Sequence, residues 1–213
     1  MVSQHRNRNA PAEARKAANA IDEQHILDAA YELLLAVGMR RMTMADIARK
    51  ADVSRATLYR RWGSVREVVA ALMTREWSRL EAAEPATDEA GDGSAKERLV
   101  RGIVRMVRAS RSHPMLRKII DVDPEFLLPY LLRRQGANTR RQLEVIEHGL
   151  KAGMADGSIR QGDVAMQAKS VLLTAWSFAL TGPAFVEVPD GEGPELDALD
   201  EQLYELLERY LTP

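Results

Sequence analysis

The sequence predicts an all-α protein in two parts, a small basic N-terminal unit and a larger acidic helical body, with about nine helices in all. Three observations carry this. Apolar residues recur at three- and four-residue spacings along nearly the whole chain, the period of a helix with one buried face. Ser, Thr and Asp stand repeatedly just ahead of such stretches, where a side-chain oxygen can accept from unpaired N–H groups and so start a helix. The charge is divided: residues 1–66 hold 12 Lys and Arg against 7 Asp and Glu, and the remainder hold 18 against 24. That asymmetry is expected when only one end of a chain meets a polyanion.

The elements follow in order. Residues 1–20, with Arg6, Arg8, Arg15 and Lys16, read as a flexible basic arm. The first helix, about 22–37, sets Ile26, Ala29, Ala30, Leu33, Leu34 and Val37 on one side and stops at Gly38. Thr43 caps a short second helix and Ser54 a third, only a few residues further on. Ser64 and Glu67 form a capping box for a fourth helix running to about residue 80, with Val68, Ala71, Leu72 and Trp77 on one side. A unit from 21 to 80 therefore precedes a composition break, "EAAEPATDEAGDGSAK", which carries Pro85, two glycines and no apolar period.

The body spans 81–213. Ser94 and Glu97 open its first helix, whose stripe is Leu99, Ile103, Met106 and Val107, and His113-Pro114 ends it. A shorter helix covers about 115–121. Asp123-Pro124 and Pro129 lead into a long helix that ends near Gly153 and Asp156-Gly157. Asp163 caps "VAMQAKSVLLTAWSFAL", and Pro194 opens the last helix, with Leu196, Leu199, Leu203, Leu206, Leu207 and Tyr210 on one face. The helix before it is apolar over more than half its circumference. Two such helices either complete an ordinary core or form half of a four-helix bundle between two copies. For the homodimer, the contact is assigned to Val171, Ala175, Leu199, Leu203, Leu206, Leu207 and Tyr210.

Several chemistries are poorly supported. Without cysteine there is no disulfide, thiol nucleophile or Cys-ligated metal. The four histidines, at 5, 25, 113 and 148, lack metal-ligand spacing, and "GDG" at 91–93 is too short for a phosphate loop. No enzyme, metal or cofactor is expected. The longest apolar candidate, "SVLLTAWSFAL", is too short to span a bilayer, and the N-terminus lacks the apolar stretch of a secretory signal. A soluble cytoplasmic protein is the expectation, with no membrane partner.

The second and third helices, "TMADIARKADVSRATLYRRW" at 43–62, have the makings of a helix-turn-helix. Ala48 is small where the two helices approach, Asp52 tolerates the left-handed turn, and Ile47, Val53 and Leu58 lock the second helix against the first. With those inward, Arg55, Ala56, Thr57, Tyr59 and Arg60 face outward or lie at the helix start that enters a major groove. Arg55 suits a guanine edge, and Ala56 or the Thr57 methyl a thymine methyl. The Thr57 and Tyr59 hydroxyls, Arg60, Arg61, and the helix start at Thr43 and Met44 suit phosphate oxygens.

The stretch from about 22 to 80, with "TMADIARKADVSRATLYRRWGSVREVVAAL" at its centre, closely resembles the DNA-binding domain of the tetracycline-repressor (TetR) family. Two positions depart from that pattern: Asp52 where Gly is common, and Val65 where many members carry a phosphate-binding Lys, a contact that Arg66 or Arg61 would replace. The resemblance implies a ligand-responsive DNA-binding regulator, most often a repressor, with a double-stranded DNA operator and a small-molecule effector as partners. The effector's pocket would lie in the C-terminal body. Met106, Met115, Phe126, Trp176 and Phe178 are its candidate lining, which suits an apolar or aromatic molecule. The alternative is a helical interaction or sequestering module without specific DNA binding.

Overall fold

The computed structural model describes residues 10–83, 92–129, 136–186 and 193–213, with side chains described from residue 23 onward. Every regular element among them is helical: α1 (Ala10–Val37), α2 (Met44–Lys50), α3 (Arg55–Tyr59), α4 (Val65–Ala83), α5 (Ala95–Ser112), α6 (Pro114–Val122), a 3-10 turn (Pro124–Phe126), α7 (Ala137–Ala155), α8 (Val164–Leu180), α9 (Gly182–Phe185) and α10 (Pro194–Leu211). Two compact units divide the chain, Met1–Leu72 and Met73–Pro213. The division falls inside α4 rather than at the residue 80 expected from sequence. Val68, Val69 and Leu72 are buried, whereas Glu76 and Glu81 pair with residues of the second unit.

The first unit is held by Ile26, Ala30 and Leu34 of α1, Ile47 and Ala48 of α2, Leu58 of α3 and the buried positions of α4. At about 1.5–3 kcal/mol for each large side chain, this burial rather than intrinsic propensity sustains a five-residue α3. Gly38 ends α1 with φ 78°, its N–H bonded to Leu34 O at 2.9 Å. The start of α1 corrects the sequence reading: the helix begins at Ala10, so half of the arm placed at 1–20 is helical. The residues of 10–20 are rich in Ala, with Pro11 in the first turn, so helix propensity extends the segment without an apolar face to announce it. Residues 1–9 of that arm lie outside the described residues.

In the second unit, α5 packs on α7, α8 and α10, and α7 on α8. Its core joins Leu99, Val100 and Ile103 of α5, Ile146 and Leu150 of α7, Val171 and Leu172 of α8, and Leu203 and Leu207 of α10. Polar ties fix the register. Asp156 accepts the Ala95 N–H at 2.9 Å and Ser158 Oγ accepts that of Lys96 at 3.1 Å, so the 156–158 turn caps α5 from across the unit. Hydrogen bonds from the Ser158 hydroxyl, and then from the Ala95 and Ser158 N–H groups, hold the Asp156 carboxyl below the usual carboxylate range. Within the core, the Arg111 guanidinium donates to both Asp200 carboxylate oxygens at 2.6 Å.

This packing revises the expected dimer contact. Val171, Ala175, Leu203 and Leu207 are buried in the chain's own core, and Leu199 and Tyr210 are half-buried. Of the seven residues, only Leu206 is exposed, at 46%. An apolar circumference does not mark which part faces α5. The outward apolar residues of α8 are Met166 and Leu173, the latter 64% exposed.

Candidate nucleic-acid interface and ligand cavity

Local capping builds the reading head. Thr43 precedes α2 in extended conformation; its hydroxyl donates to Asp46 Oδ2 at 2.6 Å and accepts the Asp46 N–H at 3.1 Å. The Thr43 hydroxyl, and then Arg49, hold the Asp46 carboxyl below its ordinary range, so the cap stays charged. Met44 is buried, leaving only its backbone for an outside contact. After α2 the chain turns at Asp52, φ 49°, the one non-glycine residue with positive φ among the described residues. Val53 N–H then bonds back to Ala48 O at 3.0 Å. Ser54 Oγ accepts the Thr57 N–H at 3.0 Å and lies 2.9 Å from the Thr57 hydroxyl, which ties Thr57 into the cap.

From this start, α3 buries Leu58 and presents Arg55, Ala56, Tyr59 and Arg60 to solvent. Neither the Arg55 nor the Arg60 side chain has an ion pair or hydrogen bond among the described residues. Trp62, just after α3, is buried. Arg61 differs from the phosphate contact expected for it. Its side chain is 16% exposed and its guanidinium lies 3.2 Å from Glu23 on α1. The sequence distance of 38 residues hid that partner. Arg66, the other substitute for the missing lysine, is exposed at the start of α4, beside the half-buried Val65.

The second unit contains a cavity of about 530 Å³, counting its open mouth, enclosed by α4, α5, α7 and α8. Its walls are mainly apolar, from Ile103, Met106, Ile146, Leu172 and Trp176. Met106 and Trp176 were expected there. Met115 and Phe126 are instead buried in α6 and the 3-10 turn, and Phe178 packs at the edge of the core. Their bulk gave the same signal wherever it was buried. Trp77, Glu81 and Gln142 also line the cavity. Trp77 was visible on the apolar side of the fourth helix, but nothing in the sequence distinguishes Gln142 or Glu81 from solvated positions.

Three polar contacts shape this site. Trp176 Nε1 donates to Gln142 Oε1 at 3.0 Å, Ser110 Oγ to Met106 O at 2.6 Å, and Arg141 Nε to Glu81 Oε2 at 2.6 Å. Further along α4, Glu76 pairs with Arg75 at 2.8 Å and Arg79 at 2.9 Å, and lies 3.7 Å from His113 Nε2. Burial pushes the His113 imidazole below its ordinary pKa against the opposing pull of Glu76. Among the described residues no group of three His, Cys, Asp or Glu could hold a metal ion, and no helix is long and apolar enough to cross a membrane.

A capped helix-turn-helix with an outward cationic edge, followed by a body whose described elements are all helical, defines a DNA-binding regulatory protein. Residues 26–72 match the family model of the bacterial regulatory proteins, tetR family. Over 152 residues the chain is 32% identical to an HTH-type transcriptional regulator of Mycobacterium tuberculosis, covering 71% of this chain and 77% of that protein. The structure is similar to a TetR-family transcriptional regulator from Streptomyces coelicolor, with TM-score 0.60 and 25% identity over 90% of this chain and 96% of that one. FadR from Bacillus subtilis, solved in complex with stearoyl-CoA, matches at TM-score 0.59 and 20% identity, over 88% and 98% of the two chains. The chain belongs to the TetR family of transcriptional regulators. Membership decides for a DNA-binding regulator over an interaction module without specific DNA binding, in a family of regulators rather than enzymes.

Proposed function

We propose that the protein is a homodimeric cytoplasmic repressor, released from a pseudo-palindromic operator by a small apolar or aromatic effector held in the α4–α5–α7–α8 cavity. Arg55 and Ala56, with the Thr57 methyl, read base edges; Tyr59 and Arg60, with Thr43 and the Met44 backbone, hold phosphates. The observation that carries the reading is the division of α3 between a buried Leu58 and an exposed cationic edge without protein partners. The two copies associate through the outward faces of α8 and α10, where Met166, Leu173 and Leu206 are exposed. Such a dimer sets two recognition helices about 34–36 Å apart or somewhat more widely.

Two features support ligand control. The fold shared with FadR accommodates stearoyl-CoA in that protein. Here α4 gives Val68, Val69 and Leu72 to buried positions and Trp77 and Glu81 to the cavity lining. A ligand that binds one setting of α4 better than the other lowers DNA affinity by that difference.

Gel-shift titrations against DNA upstream of the protein's own coding region, over a range of salt, test the DNA-reading half. Specific retention with steep salt dependence is expected, and Arg55→Ala should cost about 1–3 kcal/mol on that site and little on random DNA. Absence of a shift at low salt overturns the proposal; equal losses on both DNAs remove Arg55 from base reading.

A further inference from the structure

We propose that the cavity's ligand is a neutral, mainly apolar molecule bearing one carbonyl-type hydrogen-bond acceptor, which the Gln142 side-chain amide receives. The proposal rests on reading the cavity as the effector site. Its starting point is the chemistry of one hydrogen bond. An indole N–H can only donate, so the Gln142 atom 3.0 Å from Trp176 Nε1 is the amide oxygen, which fixes the rotation of the whole amide. That leaves Nε2 with two N–H donors, and the Gln142 side chain makes no other hydrogen bond among the described residues. The residue is 8% exposed and lines the cavity. A donor on so little-exposed a side chain has few water partners, and an acceptor oxygen on a bound molecule would supply one.

The surroundings narrow the class. Ile103, Met106, Ile146 and Leu172 require an apolar framework around that oxygen. The Ser110 hydroxyl already spends its proton on Met106 O. Glu81, the one ionisable residue of the lining, is negative and ion-paired to Arg141. A ligand carboxylate would therefore give up its water next to a like charge with no uncommitted cation in the lining, so a ketone, ester, lactone or amide oxygen fits better.

Three probes of nearly one shape separate these properties: acetophenone, isopropylbenzene and benzoate. Their dissociation constants are measured by calorimetry on the full-length protein and on Gln142→Leu and Trp77→Phe. In the unmodified protein, acetophenone should bind at least as tightly as the more apolar isopropylbenzene and more tightly than benzoate. Gln142→Leu should weaken acetophenone by about two- to tenfold and leave isopropylbenzene unchanged or tighter. Trp77→Phe, which removes the other indole N–H of the lining, should preserve the ketone preference.

An isopropylbenzene affinity tenfold above that of acetophenone in the unmodified protein overturns the proposal even if Gln142→Leu does not fold. So does an unchanged ratio of the two affinities in Gln142→Leu, loss of the preference in Trp77→Phe, or tighter binding of benzoate. Binding of all three without discrimination sinks the Gln142 assignment alone. If no probe binds, the cavity reading falls and takes this proposal with it.

Discussion

Arg60 and Arg61 stand side by side in sequence, but their substitution should produce opposite signatures. Arg61 is mostly buried, with its guanidinium 3.2 Å from a half-exposed Glu23. A pair of that exposure contributes about 0.5–1 kcal/mol, and the packed stem of the side chain about as much again. Arg61→Ala should therefore lower the unfolding free energy of the N-terminal unit by about 1–2 kcal/mol and leave the salt dependence of DNA binding unchanged. The Arg60 side chain is exposed and has no ion pair or hydrogen bond among the described residues, so Arg60→Ala should leave stability within about 0.5 kcal/mol. Loss of one phosphate contact lowers the slope of log affinity against log salt by about 0.9, so the penalty relative to the unmodified protein changes about three- to fourfold between about 50 and 200 mM salt. Urea unfolding measures the first quantity and anisotropy titrations on a fluorescent duplex the second. A shallower salt slope with unchanged stability for Arg61→Ala would refute the placement of Arg61 in the head's internal ion pair.

Three further outcomes are expected. Leu173→Glu and Leu206→Glu should yield folded monomers by sedimentation, whereas Leu203→Glu, which buries a charge in the core, should unfold the second unit; an intact dimer in the first two variants removes α8 and α10 from the interface. Because His113 is held below its ordinary pKa of 6.5, its stabilising effect is complete above that pH and is lost as pH falls through the depressed folded value. His113→Gln should consequently lose less stability on acidification than the parent, and parallel urea midpoints from pH 7 to 5 would contradict this. At Asp52, φ 49° costs a β-branched residue about 1–2 kcal/mol, so Asp52→Val should lower the melting temperature of the head while Asp52→Gly holds or raises it; equal melting temperatures would deny that the turn is strained.

The DNA-reading head was legible because its determinants are local. Thr43 and Ser54 cap their helices by accepting N–H groups three residues on, Asp52 turns the chain between them, and Leu58 is the inward residue that its spacing from Ile47 and Val53 required. The ion pair of Arg61 was not legible because its partner lies on another helix, and charge alone does not distinguish an internal pair from a phosphate contact. The dimer face failed for a different reason. On an apolar helix such as α8, Val171 and Leu173 look equivalent until α5, α7 and α10 cover one side, and that choice is made by tertiary packing. The cavity was half-visible: Met106 and Trp176 belong to apolar stripes, whereas the unspent donors of Gln142 become apparent only once Trp176 has fixed its amide.

The division of α3 also bears on how such a protein diversifies. Arg55, Ala56, Tyr59 and Arg60 stand outside the packing, and folding depends on Leu58, the Ser54 cap and the turn at Asp52. On the reading proposed above, operator preference is encoded in residues that stability barely constrains. Duplicated copies of this gene can drift toward new target sites through single substitutions on that edge, each remaining a folded regulator along the way.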